Sequence, residues 1–591
     1  MFLEQVKKHL VKFLGQNHVD IYTGDLVYPE NSDLGDLSLP VFKFASIFKK
    51  APAEIARQLA NTLNIKKIKF IKKVEALGGY LNFFLDYEII TKEVLGEVLK
   101  KGDKFGNAPK NKAKILVESV SPNSNKPLHL GHVRNAVLGE AVARILETQG
   151  SKIIRANLVN DRGLHICKAM VAYTNFGKVL EGQSKTRKDS PERSSLKGDH
   201  FVGKYYVIYE QELQKNPKLE DEARVCLRNW EKGEKETLKL WHEMRSWVLD
   251  GFKETYKALG LHFDRVDYES EIWKNGKEII SAGLNKKIFK KEKDGAIIAP
   301  LEKFNLPDKV LLRSDGTSLY ITTDLYLAQK RYKEEKFNQV IYVVGSEQDL
   351  YFKQLFAIFS LLQAPYTAKA RHLSYGMVFL PQGKMKSREG TVVDADDLIS
   401  KLQAYAREEV KSRHDFLRQD EIDRRSRAIA LAALKYYILA VNPPSSMHFN
   451  PKEALAFTGK TGPYLLYTLA RTRSILRKVR NTKPEAINKS KTVNSKNKIA
   501  EYLKEKEERQ LILGMAKFPE VLERSAKTLD PEELATYLYN LAKMFSDFYE
   551  KHQVLHSRRE LSLARLQLVK ACANVLDRGL SLLGIDTLEE M

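Results

Sequence analysis

"AKILVESVSPNSNKPLHLGHVRNAVLGEAVARILETQG", residues 113–150, decides the fold. It opens with a short apolar strand, "AKILVESV", and passes through a polar loop into a helical pattern. Val133, Val137, Ala141 and Ile145 share one face of that helix, and Gly150 is its stop signal. A second strand, "IIRANLV" (153–159), follows directly. Strand, helix and strand in this length make a βαβ unit, which builds parallel sheets that bind ligands at the carboxyl ends of their strands. The strand-to-helix pattern returns in "NQVIYVVGSEQDLYFKQLFAIF", 338–359. The expected core is therefore a doubly wound, Rossmann-type α/β domain.

Within the loop, "KPLHLGH" (126–132) holds two histidines three apart. A metal would need at least a third ligand, and neither an HExxH-type pattern nor a cysteine accompanies them. Incidental histidines in a turn are a second reading. Placement favours a third, a phosphate cradle. The loop delivers Gly131 and His132 to a helix start, where free N–H groups and the positive end of the helix dipole attract anions. Gly131 permits close approach of the backbone. His129 and His132 offer imidazole N–H donors, and Lys126 adds a full charge.

Outward from this unit, residues 1–108 read as a small α+β domain and 109–395 as the α/β domain, with an insertion around 170–265. Residues 396–445 read as a helical connector and 446–591 as an all-α domain. At 591 residues the chain is too long for one core. It carries 98 Lys+Arg against 75 Asp+Glu, a formal charge of +23, which points to a polyanionic partner such as nucleic acid. Cys167, Cys226 and Cys572 lie far apart, which excludes a cysteine zinc site or a disulfide framework and suits a reducing cytosol. The opening "MFLEQVKKHLVKFLGQN" is amphipathic and lacks the pattern of a signal peptide, and no apolar run is long enough to span a bilayer. The expectation is a cytoplasmic protein with no membrane partner.

"HLGH" resembles the HIGH motif of class I aminoacyl-tRNA synthetases, and "VESVSPNSNKPLHLGHVRNAVLGEAVARILE" resembles the arginyl-tRNA synthetase family. "GKMKSREGTVV", from Gly383, is similar to the family's KMSKS loop, which stabilises charge developing on the phosphates of ATP. The resemblance implies roles for Lys384 and Lys386 there, but Ser387 stands where the second lysine belongs, with Arg388 beside it. In arginyl enzymes with this departure a lysine just before HIGH is thought to substitute, and Lys126 occupies that place. Catalysis would thus rest on Lys126, His129, His132, Lys384 and Lys386. ATP would lie against His129, Gly131, His132, Lys384 and Ser387, with His372, Gly376 and Met377 of "RHLSYGMVFLP" near the base.

A pocket for a guanidinium needs carboxylates, because Arg–carboxylate pairs form two parallel hydrogen bonds. Glu118, Asn123, Tyr320, Asp324 and Gln348 fall where a doubly wound sheet binds ligands, and they match the family's arginine-binding residues. By resemblance Asp324, Tyr320 and Glu118 face the guanidinium, and Asn123 and Gln348 the amino-acid end. The resemblance further makes 1–108 a domain for the D-loop at the tRNA elbow, with Tyr80 and Asn82 of "GGYLNFFL" as its contacts. It makes the C-terminal helices an anticodon-binding domain, in which Tyr464, Tyr467 and Arg471 of "FTGKTGPYLLYTLARTRSIL" combine stacking faces and charge.

The implied activity is arginine–tRNA ligation. ATP is a substrate with Mg²⁺, tRNA(Arg) and L-arginine are the other partners, no structural metal is bound, and the chain is a monomer. The family requires bound tRNA before it forms the adenylate. The alternatives are a class I synthetase for another amino acid and a non-catalytic tRNA-binding relative.

Overall fold

The computed structural model describes residues 2–16, 19–64, 68–180, 196–380, 383–384, 393–413, 416–482 and 499–591. An amphipathic helix, Phe2–Gly15, packs Leu3, Val6, Leu10 and Leu14 inward beside a three-stranded antiparallel sheet. Its strands are β1 (Leu37–Pro40), β2 (Ile71–Leu77) and β3 (Tyr80–Leu85), in the order β1-β3-β2. The helix Tyr87–Lys101, N-capped by Asp86, leads out of this domain and lies against the C-terminal helices Lys506–Ala516 and Arg559–Leu582.

The centre is a five-stranded parallel sheet. It contains β4 (Lys114–Glu118), β5 (Lys152–Val159), β6 (Arg265–Tyr268), β10 (Gln339–Gly345) and β11 (Ala370–Tyr375). The lateral order is β11-β10-β4-β5-β6, with every pairing parallel. Strand order reverses between β4 and β10, so the crevice for a ligand opens beyond Glu118 and Gly345. Val117, Ile341 and Val343 join one hydrophobic cluster and Leu116, Val340 and Tyr342 another, as strands covered on both faces must.

Between β5 and β6 the chain builds an insertion of the helices Leu164–Leu180, Gly198–Leu213, Leu219–Lys232 and Lys235–Leu259. A small antiparallel sheet of β7 (Lys290–Lys291), β8 (Ile297–Ala299) and β9 (Lys309–Leu312) precedes the helix Tyr320–Glu335. After β12 (Val378–Leu380) and β13 (Gly383–Lys384) the chain is helical, apart from β14 (Met447–His448), which pairs back onto β12. The Ala395–Arg413 and Gln419–Leu439 helices pack together and lead into the Gly462–Thr482 helix. No helix among the described residues is long and apolar enough to cross a membrane.

Candidate active site

Just beyond β4, Val120 (φ 71°) and Ser121 (φ 45°) occupy left-handed backbone without being glycine. Such conformations persist only where the surroundings hold them. Here Val120 N–H donates to Asn135 Oδ1 at 2.6 Å, and Ser121 N–H to Asn157 Oδ1 at 3.1 Å. The loop is also tied to the end of β5, with Ser124 N–H on Asn160 O (3.1 Å) and Asn160 N–H on Pro122 O (2.9 Å). Its path into the helix Leu130–Thr148 is therefore fixed from both sides.

His129 is the N-cap of that helix, and its Nδ1 accepts from Gly131 N–H at 3.1 Å. His132 Nδ1 accepts from His129 N–H at 3.2 Å, and the two ring centroids lie 3.9 Å apart. A ring nitrogen that accepts a backbone N–H carries no proton, so both neutral rings hold theirs on Nε2. Burial, with help from Lys126, pushes His129 down to about 4. Burial, His129 and Lys126 push His132 well below its ordinary value. The pair is thus two neutral N–H donors at a helix N-terminus, which suits phosphate oxygens without excess charge. Lys126 supplies the charge. Burial lowers its own pKa, and it has no carboxylate partner among the described residues.

The strand ends beyond β4 and β6 bring acidic groups together. Asp324, on the Tyr320–Glu335 helix, accepts the phenol of Tyr351. Burial, and secondarily Glu118, push it up to about 7. Glu269, the residue after β6, is buried, and its Oε2 has no hydrogen-bond partner. Burial, then Asp161 and Asp324, push Glu269 up to about 7 against the opposing pull of Arg162. Tyr320 is exposed and senses Glu269. Two carboxyls raised chiefly by burial, with Asp324 adding to the shift of Glu269, can receive a cation with several N–H groups.

Glu118, expected to face a guanidinium, has an internal partner. It is bonded to the chain's own Arg331, which also donates to Asp267 at 2.8 Å. A fully buried guanidinium requires such partners. Asp324 is bonded to Tyr351 and Glu269 lies 3.9 Å from Arg162, so neither is held as tightly by an internal arginine as Glu118 is. Glu269 escaped the sequence reading, although "VDYESE" puts it at a strand end like the others. Asn123 and Gln348 are exposed, beyond β4 and β10 respectively.

His372 sits on β11, but its ring stacks on Phe352 with centroids 4.3 Å apart, and its Nε2 contacts Val344 O at 3.0 Å. Its ring is held by these two contacts and is half-buried. Gly376 leaves no room for a side chain, since a Cβ would meet Ser446 N at 2.5 Å. Arg134, fully buried, donates to the carbonyls of Gly376 (2.7 Å), Met377 (3.2 Å), Pro443 (3.1 Å) and Ser445 (2.7 Å). That side chain bolts the helix behind the histidines to the Gly376–Met377 corner and to the connector. As one arginine in an apolar run it gave no signal in sequence. Lys386, Ser387 and Arg388 lie outside the described residues, as does the side chain of Lys384.

In the N-terminal domain and the C-terminal helices the RNA candidates divide. Tyr80 is 43% exposed and meets Phe42 edge-to-face at 5.2 Å. Asn82 shares its strand face but is 4% exposed, with Ser38 Oγ donating to its Oδ1 at 2.7 Å. On the Gly462–Thr482 helix, Arg471 lies over Tyr467 at 4.7 Å and over Tyr549 at 5.4 Å, and it pairs with no carboxylate among the described residues. Tyr549 was not legible in sequence, because it comes from a different helix. Tyr464 is half-buried, with its hydroxyl 3.2 Å from Ser546 Oγ.

A parallel sheet reversing beside a histidine-capped helix is the fold of a class I aminoacyl-tRNA synthetase catalytic domain. Residues 94–450 match the family described as tRNA synthetases class I (R), catalytic domain. Residues 2–85 match the arginyl tRNA synthetase N terminal domain, and 465–591 the DALR anticodon binding domain. The chain is 44% identical to an arginine–tRNA ligase of Treponema denticola over 95% of this chain and 94% of the relative. It is 40% identical to one of Borrelia turicatae over 93% and 92% respectively. A solved arginyl-tRNA synthetase of Thermus thermophilus superposes with a TM-score of 0.79 at 25% identity, covering 100% of both chains. The chain belongs to the arginyl-tRNA synthetase family.

Proposed function

We propose that the chain is an arginine–tRNA ligase that works through the groups described above. An arginine carboxylate oxygen attacks the α-phosphorus of ATP, and pyrophosphate leaves to give arginyl-adenylate. A ribose hydroxyl of the terminal adenosine of tRNA(Arg) then attacks the arginyl carbonyl carbon, and AMP leaves. His129 and His132 donate from Nε2 to phosphate oxygens, and Lys126 balances the charge that develops as pyrophosphate departs. Mg²⁺ accompanies ATP as part of the substrate, and the reading needs no structural metal. Asp324 and Glu269 receive the guanidinium, Tyr320 lies beside it, and Asn123 and Gln348 serve the amino-acid end. The Arg471–Tyr467–Tyr549 group stacks on anticodon bases, and Tyr80 reaches the tRNA elbow. The chain acts as a cytoplasmic monomer.

The observation that carries this reading is that Asp324 and Glu269 are both pushed up to about 7 by burial, with Asp324 adding to the shift of Glu269. Such a pair rejects amino acids without a matching cation, because its carboxylates would be left unpaired. The test is ATP–pyrophosphate exchange against a panel of amino acids, with and without bulk tRNA. Exchange is expected with arginine alone, and only when tRNA is present. Exchange with another amino acid overturns the pocket assignment. A folded, tRNA-binding protein with no exchange is a non-catalytic relative.

A further inference from the structure

One polar cluster in the insertion has no part in the mechanism above, yet shares a cavity with it. About 200 Å³ of space is walled by Lys126, His129, His200, Lys204, Tyr206 and Asp394, among others. His200 belongs to the Gly198–Leu213 helix, which presses on the catalytic loop. The approach depends on Gly203, where a Cβ would lie 2.6 Å from Pro127 Cδ and 3.3 Å from Lys126 Cα. From this helix His200 Nε2 reaches Asp396 Oδ2 at 3.2 Å and Asp394 Oδ1 at 3.5 Å.

The two aspartates open the helix Ala395–Arg413, directly after the KMSKS-like stretch in sequence. The same short segment is joined by its backbone to the histidine loop. Leu130 N–H donates to Val393 O at 3.1 Å, and Ala395 N–H to Leu128 O at 2.9 Å. Residues 393–396 are thus held by main chain on the side of His129 and by side chains on the side of His200. Lys197 completes the cluster, bonded to Asp396, to Asp199 at 3.2 Å and to Thr255 Oγ1 at 2.6 Å.

A protonated His200 suits these charges. Asp394 Oδ2 is buried with no hydrogen-bond partner among the described residues, burial raises the Asp394 pKa, and Lys197 is bonded to Asp396. The facing groups are Lys197 and Asp199 on the insertion, Asp394 and Asp396 on the following helix, and Lys126 and Lys204 around the cavity. Its hydrogen bond with Asp396 raises His200 above the ordinary histidine value. The lysine ammonium already lies between Asp199 and Asp396, so the cluster carries its own cation.

We infer that His200 is a positioning residue for the activation step, holding Asp394 and Asp396, and through them the Val393–Ala395 pairing with Leu128–Leu130, in register with Lys126 and His129. The inference rests on the ligase reading. Its raised pKa sets the sign: the clamp is complete below the ordinary histidine value and weakens as pH rises through the raised one.

The test compares His200→Ala, His200→Lys and the wild type in tRNA-dependent arginine exchange, with kcat and KM for ATP and arginine measured from pH 6 to 9 alongside thermal melting. At pH 6.5, His200→Ala should lose about tenfold or more in kcat, as expected of misplaced catalytic groups, with KM for arginine unchanged. His200→Lys should restore most of that loss and hold its kcat at alkaline pH where the wild type declines. The inference is overturned if His200→Ala keeps wild-type kcat, or if both variants lose activity only in proportion to a lowered melting temperature. A wild type without arginine-dependent exchange would refute the ligase reading instead.

Discussion

Tyr351 donates its phenolic hydrogen to Asp324, joining the Asp349–Leu361 helix to the Tyr320–Glu335 helix at the mouth of the crevice. The bond occupies Asp324 Oδ2 and holds this half-buried acid in place.

Arginine binding should therefore release protons. Burial, which penalises their charged forms, pushes Asp324 and Glu269 up to about 7. A guanidinium reverses that penalty, so binding near pH 6.5 expels protons, and binding above pH 8 does not. Titration calorimetry in buffers of different ionisation enthalpy reads this directly. A buffer-independent enthalpy at pH 6.5 would show that the acids are already charged.

Removing the acid should separate binding from stability. Asp324→Asn is expected to raise KM for arginine by about 30-fold or more, the worth of a charge-assisted hydrogen bond. The same variant should melt no lower than wild type above pH 7. A carboxyl with a raised folded pKa contributes stability that is full below its ordinary value and lost as pH climbs through about 7.

Lys126→Ala should lower arginine-dependent exchange by about 100-fold, the cost of one transition-state charge partner, with tRNA affinity unchanged. Thermal stability should hold or rise, because the change removes a half-buried cation with no carboxylate partner among the described residues. Full activity would disprove the compensation for Ser387.

The buried imidazoles predict a specific acid weakness. Burial pushes both His129 and His165 down to about 4 from 6.5. Depressed histidine values mean that stability is full above 6.5 and drains as pH falls toward 4, by at most about 3 kcal/mol for each ring. Denaturant unfolding at pH 7.5 and 5.0 measures the loss. Nitrogen-15 shifts should show His129 and His132 protonated on Nε2 at neutral pH.

Arg471→Gln should raise KM for tRNA about tenfold and reduce the salt slope of tRNA binding by about one, as expected for one lost phosphate or base contact. Tyr549→Ala should weaken binding with little change in salt slope, because it removes a stacking face rather than a charge.

Much of the architecture was legible because it is local. Strand runs, a 3.6-residue apolar repeat and a terminal glycine placed β4, the Leu130–Thr148 helix and β5 almost to the residue. The histidines announced themselves by spacing and by where the helix begins. The pocket was legible only by position. Glu118 and Asp324 stand at similar strand or helix ends, yet one is bonded to a buried arginine and the other to a tyrosine.

The amino-acid sequence by itself determined the order of elements, the histidine-capped helix and the kind of side chain at each strand end. These follow from periodicity, capping and turn chemistry within a few residues. Tertiary structure alone decided which carboxylates are spent on internal arginines, that Arg134 grips four carbonyls, and that His200 meets Asp394 and Asp396. Those pairings join residues 194 to 311 positions apart, or 213 for Glu118 and Arg331. Charge burial selects such partners only after the chain has brought them together.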